Sequence, residues 1–119
     1  MFINFSNHPS GKWSIEQIRA AEEFGQIKDF PFPEVSPAAT GEEIAEMAEK
    51  IKDEILQMHP DAVLCQGEFT LAYAVTSRLK RENIKVIAAC SERRVEEVVE
   101  NNATVKRLIF RFAGFREYL

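Results

Sequence analysis

The sequence predicts an α/β fold with a mostly parallel sheet, helices on both faces and a C-terminal β-hairpin. Before Ala89, short apolar runs alternate with segments of helical periodicity, which is the order expected of βα units. After Ala89, helical periodicity stops and apolar residues alternate with polar ones. The 119 residues suffice for one hydrophobic core, so a single domain over residues 1–119 is expected.

The first βα unit has a clear helix start. Met1 to Ser6 is apolar enough for a central strand, and Ser14 then suits a helix N-cap, with Gln17 completing a capping box. Trp13 precedes this cap and can form a hydrophobic staple. The helix is expected to run to about Phe24, because the following glycine is a natural stop.

The second unit is a short strand and a long amphipathic helix. The strand, Ile27 to Phe30, ends at prolines that remove ladder donors. Thr40 and Glu43 repeat the capping-box pattern, and the helix that they begin carries one apolar stripe before it closes near His59.

The third unit leads into a fourth strand. Ala62 to Cys65 is predicted as a buried strand, Phe69 to about Glu82 as a helix, and Ile84 to Ala89 as strand four. Three βα units of this length favour right-handed crossovers and a parallel sheet, as in a Rossmann-like domain.

The C-terminal third is predicted as a separate hairpin. Val95 to Glu100 and Val105 to Phe112 form its strands, joined across Asn101, Asn102 and Ala103. The glutamates near residue 96 leave a helix start open as an alternative. The closing aromatic residues, 115–118, either dock on the domain or meet a partner.

Composition limits the possible partners. The chain is 45% hydrophobic and 29% charged, as in ordinary globular proteins, and no apolar run reaches the roughly 20 residues of a membrane span. No basic leader precedes the first strand, so a cytoplasmic location without membrane contact is expected. A net charge of −4 argues against binding long nucleic acid by broad basic attraction, but allows a small anionic ligand in a local pocket.

Polar residues follow three of the predicted strands. Because carboxyl ends of parallel strands meet at one edge, these residues are expected to assemble a ligand-binding crevice there. Backbone N–H groups at the start of the third helix could hold a phosphate. The candidates for ligand binding are Asn7, His8, Ser10, Gln66, Gly67, Glu68, Thr70, Ser91 and Arg93.

Each key candidate also has a structural interpretation. His8 suits acid–base chemistry or a phosphate contact, but also a plain turn. Gly67 allows close backbone approach to a ligand, or simply a strand-to-helix turn. Glu68 suits a ribose hydroxyl, an adenine amine or a helix cap. Arg93 suits bidentate phosphate binding, or pairing with nearby glutamates.

No metal or cofactor is predicted. Cys65 and Cys90 lack CxxC spacing and are expected to be small buried side chains, and no carboxylate cluster suggests a metal site. His59 fits a structural role at a helix end.

Four segments together resemble the small CRISPR-associated proteins of type III loci, single-domain relatives of the CARF (CRISPR-associated Rossmann fold) sensors. The segments are Phe5–Ser10, Gln66–Thr70, Ala89–Arg93 and Phe115–Tyr118. The resemblance implies binding of cyclic oligoadenylate, most of all cyclic tetra-adenylate, around the candidates named above. It implies antiviral signalling, with sequestration of the ligand or its cleavage by a ring nuclease.

The symmetry of the ligand suggests the assembly. Because cyclic tetra-adenylate is twofold symmetric, a homodimer that offers the same loops twice is the expected receptor. Cleavage would proceed without metal through the ribose 2′-hydroxyl, with His8 as acid or base and Arg93 stabilising charge.

Two other classes of function stay open from the sequence. One is a small nucleotide-metabolising enzyme that uses the same crevice. The other is a protein-interaction module that docks through apolar side chains such as Phe30 and Phe32.

Overall fold

The computed structural model describes residues 1–119 as one five-stranded sheet with three α-helices. The strands are β1 (Phe2–Ser6), β2 (Ile27–Pro31), β3 (Ala62–Gln66), β4 (Val86–Glu100) and β5 (Ala103–Glu117). The helices are α1 (Ile15–Glu22), α2 (Gly41–Gln57) and α3 (Phe69–Arg81), and a 3-10 turn covers Ser10–Lys12. No helix combines the length and apolar content needed to cross a bilayer.

The sheet has the order β2-β1-β3-β4-β5. Its first four strands are parallel, and β5 returns antiparallel to β4. From β1 the chain moves to one side to form β2 and then crosses to the other side to form β3. The mixed α/β architecture and the C-terminal hairpin that the sequence predicted are therefore confirmed.

Alternation along the strands divides the core between two faces of the sheet. Ile3 and Phe5 pack with the apolar stripes of α2 and α3, while Phe2 packs on the opposite face with Ala21 of α1. All four side chains are fully buried. Burial of both faces explains why β1 reads as a nearly continuous apolar run.

The predicted helix starts are confirmed. Ser14 caps α1 by accepting from the Gln17 N–H at 3.3 Å, and Thr40 and Glu43 form a complete capping box on α2. The capping box predicted for α1 is incomplete: the Ser14 side chain accepts from the Gln17 N–H, but the Gln17 side chain does not bond the Ser14 backbone. The helix also ends at Glu22, slightly before the predicted end.

The predicted end of strand four at Ala89 is wrong. A single strand continues through Cys90 and Arg93 to Glu100, paired throughout with β5 and interrupted only by a bulge at Cys90/Ser91. Polar residues do not terminate a strand whose two faces meet water, since each side chain simply projects into solvent. The alternative helix in this region is likewise wrong.

The far part of the hairpin, Ser91–Phe112, is called the arm below. Its turn uses Asn101 and Asn102 with φ of 49° and 61°, the conformation of a type I′ hairpin turn. None of the arm residues is buried. The radius of gyration is 16.8 Å, against about 13.5 Å for a compact chain of this length. The arm therefore extends away from the packed body.

The C-terminal residues dock on the body. The Phe115 ring lies 5.4 Å from the Phe2 ring, and the Tyr118 hydroxyl donates to the Cys65 carbonyl at 2.9 Å. Lys80 Nζ donates to the Tyr118 carbonyl at 2.7 Å. Burial raises the pKa of the Tyr118 hydroxyl. Of the two possibilities that the sequence left open for this segment, docking is the one observed.

Candidate functional site

A crevice of about 650 Å³ lies at the carboxyl ends of β1 and β3, beside the base of the arm. Its volume falls within the range of roughly 300–1,000 Å³ that is typical of small-ligand sites. The crevice lies between β1 and β3, where the strand order switches from one side of β1 to the other, and open α/β sheets bind ligands at such switch points. Its polar and aromatic lining includes Asn7, His8, Lys12, Trp13, Ser14, Gln17, Gln66, Ser91, Phe110, Arg111 and Phe112.

The crevice brings together part of the predicted site. Asn7 and His8 follow β1, Gln66 ends β3, and Ser91 lies just beyond the bulge of β4. These residues come from three segments distant in the sequence. The remaining candidates do not line the crevice; they are Ser10, Gly67, Glu68, Thr70 and Arg93.

A buried hydrogen-bond network holds the turn after β1. Asn4, only 1% exposed, donates its side-chain amide to the His8 carbonyl at 3.0 Å and to Asp29 at 2.9 Å. The Trp13 indole N–H donates to the same carbonyl at 3.1 Å. Ser10 also bonds Asp29, through its hydroxyl at 3.1 Å, and so belongs to this support. The backbone beneath the exposed His8 side chain is therefore fixed.

The site residues predicted from the sequence do not include Asn4. The available signal was a polar residue inside the apolar run Phe2–Phe5, at a position that a central strand buries. A buried amide needs hydrogen-bond partners, and here they are the elements that shape the crevice.

Two glutamine amides are available to a ligand. The Gln66 oxygen accepts from the Ala89 N–H at 2.8 Å, which leaves its NH₂ group free to donate into the crevice. Gln17 is only 8% exposed, lines the crevice, and has no side-chain hydrogen bond within the chain. Nearly all buried polar groups are paired. Every buried side-chain nitrogen and oxygen atom of the chain has a hydrogen-bond partner, so the unpaired Gln17 amide reaches the open crevice, where it can bond a ligand.

The charged groups of the crevice differ from those predicted. Lys12 and Arg111 line it, with Glu16 as the carboxylate. Arg93 instead lies on the arm opposite Phe110, outside the crevice. The sequence gives no signal for Arg111, because the pairing of β5 with β4 carries it to the crevice from a distant segment.

The N-terminus of α3 is occupied by its own cap. The Glu68 carboxylate accepts from the N–H groups of Leu71 and Thr70 at 2.8 and 2.9 Å, and from the Thr70 hydroxyl. These bonds, led by that from Leu71, hold the pKa of Glu68 below its usual range. Because a carboxylate already fills the position that an anion would take, this cap disfavours the phosphate contact expected at this helix. Of the three roles weighed for Glu68, the helix cap is the one observed.

Gly67 has a packing role. A Cβ atom at this position would lie 2.5 Å from the ring of Phe32, so only glycine leaves room for that side chain. Phe32 stacks on Phe5 with ring centroids 4.6 Å apart, and Phe30 meets the same ring edge-on at 5.3 Å. Phe30 and Phe32 are thus partly buried side chains that pack against the core.

No group of three or more His, Cys, Asp or Glu side chains is placed to hold a metal ion. Cys65 and Cys90 are both free thiols, and Cys65 is buried as expected. Its burial, opposed by a hydrogen bond involving Thr76, raises the pKa of the thiol to about 11. Cys90 is half-buried, at the base of the arm.

The fold and crevice define an α/β protein with a polar, aromatic-lined crevice at the carboxyl edge of a mostly parallel sheet. The family model described as "Uncharacterized protein MJ1673 family" matches residues 1–116, so the chain belongs to this family. No curated protein and no solved structure matches the chain.

Proposed function

We propose that the crevice binds cyclic oligoadenylate, with cyclic tetra-adenylate as the first candidate, in type III CRISPR antiviral signalling in the cytoplasm. In this proposal the chain is a single Rossmann-like domain related to the CARF sensors. The sheet order and the helices on both faces support that assignment, because doubly wound sheets share them. The ligand class comes from the resemblance of the strand-end segments to the small type III proteins.

The observation that carries the proposal is the convergence of Asn7, Gln66 and Ser91 on one crevice. Their segments are far apart in sequence and meet because β1, β3 and β4 are neighbouring parallel strands. The Gln17 side chain lines the same crevice without a hydrogen bond inside the chain, so it adds a group that can bond a ligand.

The crevice offers suitable chemistry for an adenylate. Side-chain amides such as those of Gln17 and Gln66 can bond the donor and acceptor edge of adenine. The exposed ring of Phe110 can stack on a base, since aromatic side chains bind nucleobases in this way. Lys12 and Arg111 can balance phosphate charge.

The same geometry allows either sequestration or cleavage. In cleavage, a ribose 2′-hydroxyl attacks the adjacent phosphorus, a 2′,3′-cyclic phosphate forms, and the 5′-oxygen leaves with a proton. His8 is the candidate acid or base, and no metal is required. Lys12 and Arg111 replace Arg93 as candidates for stabilising the charge on phosphorus.

Binding of labelled cyclic tetra-adenylate to the purified chain tests the proposal. Bound, intact ligand would identify a sequestering protein, and linear product would identify a ring nuclease. Gln66→Ala and Arg111→Ala should each weaken binding about tenfold or more, as expected for loss of one charge-assisted or amide contact. Arg116→Ala, on the same strand but outside the crevice, is the matched control and should bind normally. Absence of binding by the wild-type chain would reject the proposal.

His8→Ala separates the two activities. If His8 transfers a proton, its loss should lower cleavage by roughly 10²–10⁴-fold while binding changes little. Equal loss of binding and cleavage would make His8 a contact residue.

The volume of the crevice also favours a second candidate, an enzyme acting on a single nucleotide. In that case simple adenine nucleotides should raise the melting temperature in proportion to the logarithm of their concentration, and cyclic tetra-adenylate should not.

A further inference from the structure

The outer edge of β4 in the arm has no partner strand. β3 pairs with β4 only at Val86 and Ile87, and β4 then continues to Glu100 with that edge open. A long, unprotected edge exposes a row of backbone N–H and C=O groups ready to pair with another strand. Two-stranded ribbons are also only marginally stable by themselves.

The charges along this edge are self-complementary. The run Arg93-Arg94-Val95-Glu96-Glu97 has two cations before a central valine and two anions after it. In an antiparallel pairing of two copies centred on Val95, Arg93 lies opposite Glu97 of the second copy, and Arg94 lies opposite Glu96. Opposite charges directly across from each other stabilise antiparallel strands, whereas like charges destabilise them.

The other free edge of the arm lacks this property. Between Ala103 and Arg116, β5 carries Lys106, Arg107 and Arg111 and no carboxylate. Pairing two β5 strands would therefore bring cations together without compensation, which disfavours that edge as the contact.

Exposed valines accompany the charges. The side chains of Val95 and Val99 are 62% and 76% exposed, and both project from the same face of β4. Pairing centred on Val95 places this side chain beside its own symmetry mate and Val99 opposite Ser91. Leu108 and Phe110, on the same face of the adjoining β5, extend the apolar surface.

We propose that two copies of this chain join through antiparallel pairing of their β4 edges about Val95, giving one continuous sheet across a twofold axis. Such strand addition gains main-chain hydrogen bonds, and the charge pattern fixes its register. Within the chain, Arg94 contacts Glu92 at 3.1 Å, an exposed ion pair of the kind that contributes little. Glu96 and Glu97 lie opposite Arg107 and Lys106 across the hairpin, on the side away from the new contact.

The pairing has a consequence for the crevice. It places Glu100 of one copy opposite Cys90 of the other, next to Ala89, to which Gln66 is bonded. The arm tip, Asn101 and Asn102, would then lie near the carboxyl end of the second copy's β3. The dimer contact itself does not depend on which ligand the crevice binds.

Charge exchange in the full chain tests the proposal. The wild-type chain should have twice the monomer mass of 13.6 kDa by light scattering. R93E/R94E and E96R/E97R should each be monomeric, because each places like charges opposite one another. An equimolar mixture of the two should restore a dimer that contains one copy of each. The fourfold variant R93E/R94E/E96R/E97R restores the pattern in reverse and should dimerise by itself.

The fourfold variant also controls for folding. Like E96R/E97R, it places arginines opposite Arg107 and Lys106 within the hairpin. If this change merely unfolded the arm, the fourfold variant would fail to dimerise. Circular dichroism of every variant checks that the body remains folded.

Cross-linking tests the register independently. In a Cys90→Ser background, Val95→Cys should form an intermolecular disulfide with oxidised glutathione, because opposite Cα atoms in antiparallel strands lie within disulfide range. Leu108→Cys, opposite Val95 in the same ribbon and also exposed, should not cross-link. A wild-type chain that stays monomeric from about 1 µM to 1 mM, or an R93E/R94E or E96R/E97R variant that stays dimeric by itself, would overturn the proposal. So would preferential cross-linking at residue 108.

Discussion

The body and the arm of this protein are both β-structures, but different forces hold them. In the body, side chains such as Phe2, Ile3 and Phe5 are fully buried between the sheet and its helices. In the arm, from Ser91 to Phe112, no residue is buried, and cross-strand pairing and a tight turn order the chain. The body is thus specified by its own core, whereas the arm gains most from an additional strand.

The crevice lies where these two regions meet. Asn7 and Gln66 come from the body, while Phe110 and Arg111 come from the arm. A ligand in the crevice would therefore contact the packed body on one side and the extended arm on the other. Any occupant that touches both should restrict the motion of the arm relative to the body.

The largest expected effect comes from the core. Phe5→Ala should lower the free energy of unfolding by about 3–5 kcal/mol, because it removes a fully buried ring that contacts Phe30 and Phe32. Urea unfolding followed by circular dichroism measures this change.

Phe110→Ala is the matched control in the arm. This ring is 66% exposed, so its loss should change the free energy of unfolding of a monomeric background such as R93E/R94E by less than about 1 kcal/mol. Equal destabilisation by the two substitutions would contradict the distinction between body and arm.

An intermediate change in the free energy of unfolding is expected when the hydrogen-bond network of Asn4 beneath the crevice is removed. Asn4→Ala removes the donor to the His8 carbonyl and Asp29, and should destabilise the body by about 1–3 kcal/mol. The turn after β1 should loosen as well, so trypsin should cleave after Lys12 faster than in the wild type. Asn7→Ala, whose exposed side chain supports nothing in the chain, should leave both stability and cleavage unchanged. Unaltered cleavage of Asn4→Ala would show that the network does not hold the turn.

The smallest perturbation uses the two thiols as probes. At pH 8.5 a thiol reagent should label the half-buried Cys90 first, because Cys65 is enclosed and its pKa is raised to about 11 by burial. Labelling of Cys65 should require opening of the body, and its rate should rise with urea.

The raised pKa of Cys65 also predicts how the stability of the fold changes with pH. The neutral Cys65 thiol is favoured in the folded state, so its contribution to stability is complete below pH 9 and is lost as the pH rises towards 11. Cys65→Ala should show less alkaline destabilisation than the wild type. Equal labelling rates for the two cysteines in the native protein would contradict the assigned burial.

Local patterns in the sequence were enough for much of the fold. The caps at Ser14 and Thr40 depend on hydrogen bonds within a few residues, and alternation places Ile3 and Phe5 on one face of β1. The hairpin turn at Asn101 and Asn102 is equally local, since asparagine tolerates positive φ. The identity and order of the βα units could be predicted for these reasons.

Tertiary structure decided the rest, because it depends on which distant groups meet. Continuation of β4 through Cys90 is stabilised by pairing with β5, which no local pattern in β4 encodes. Glu68 is a helix cap, because its carboxylate accepts from the N–H groups of Thr70 and Leu71. Arg111 replaced Arg93 at the crevice because the bulged hairpin sets which side chains face the body, and hairpin geometry is a property of two strands together.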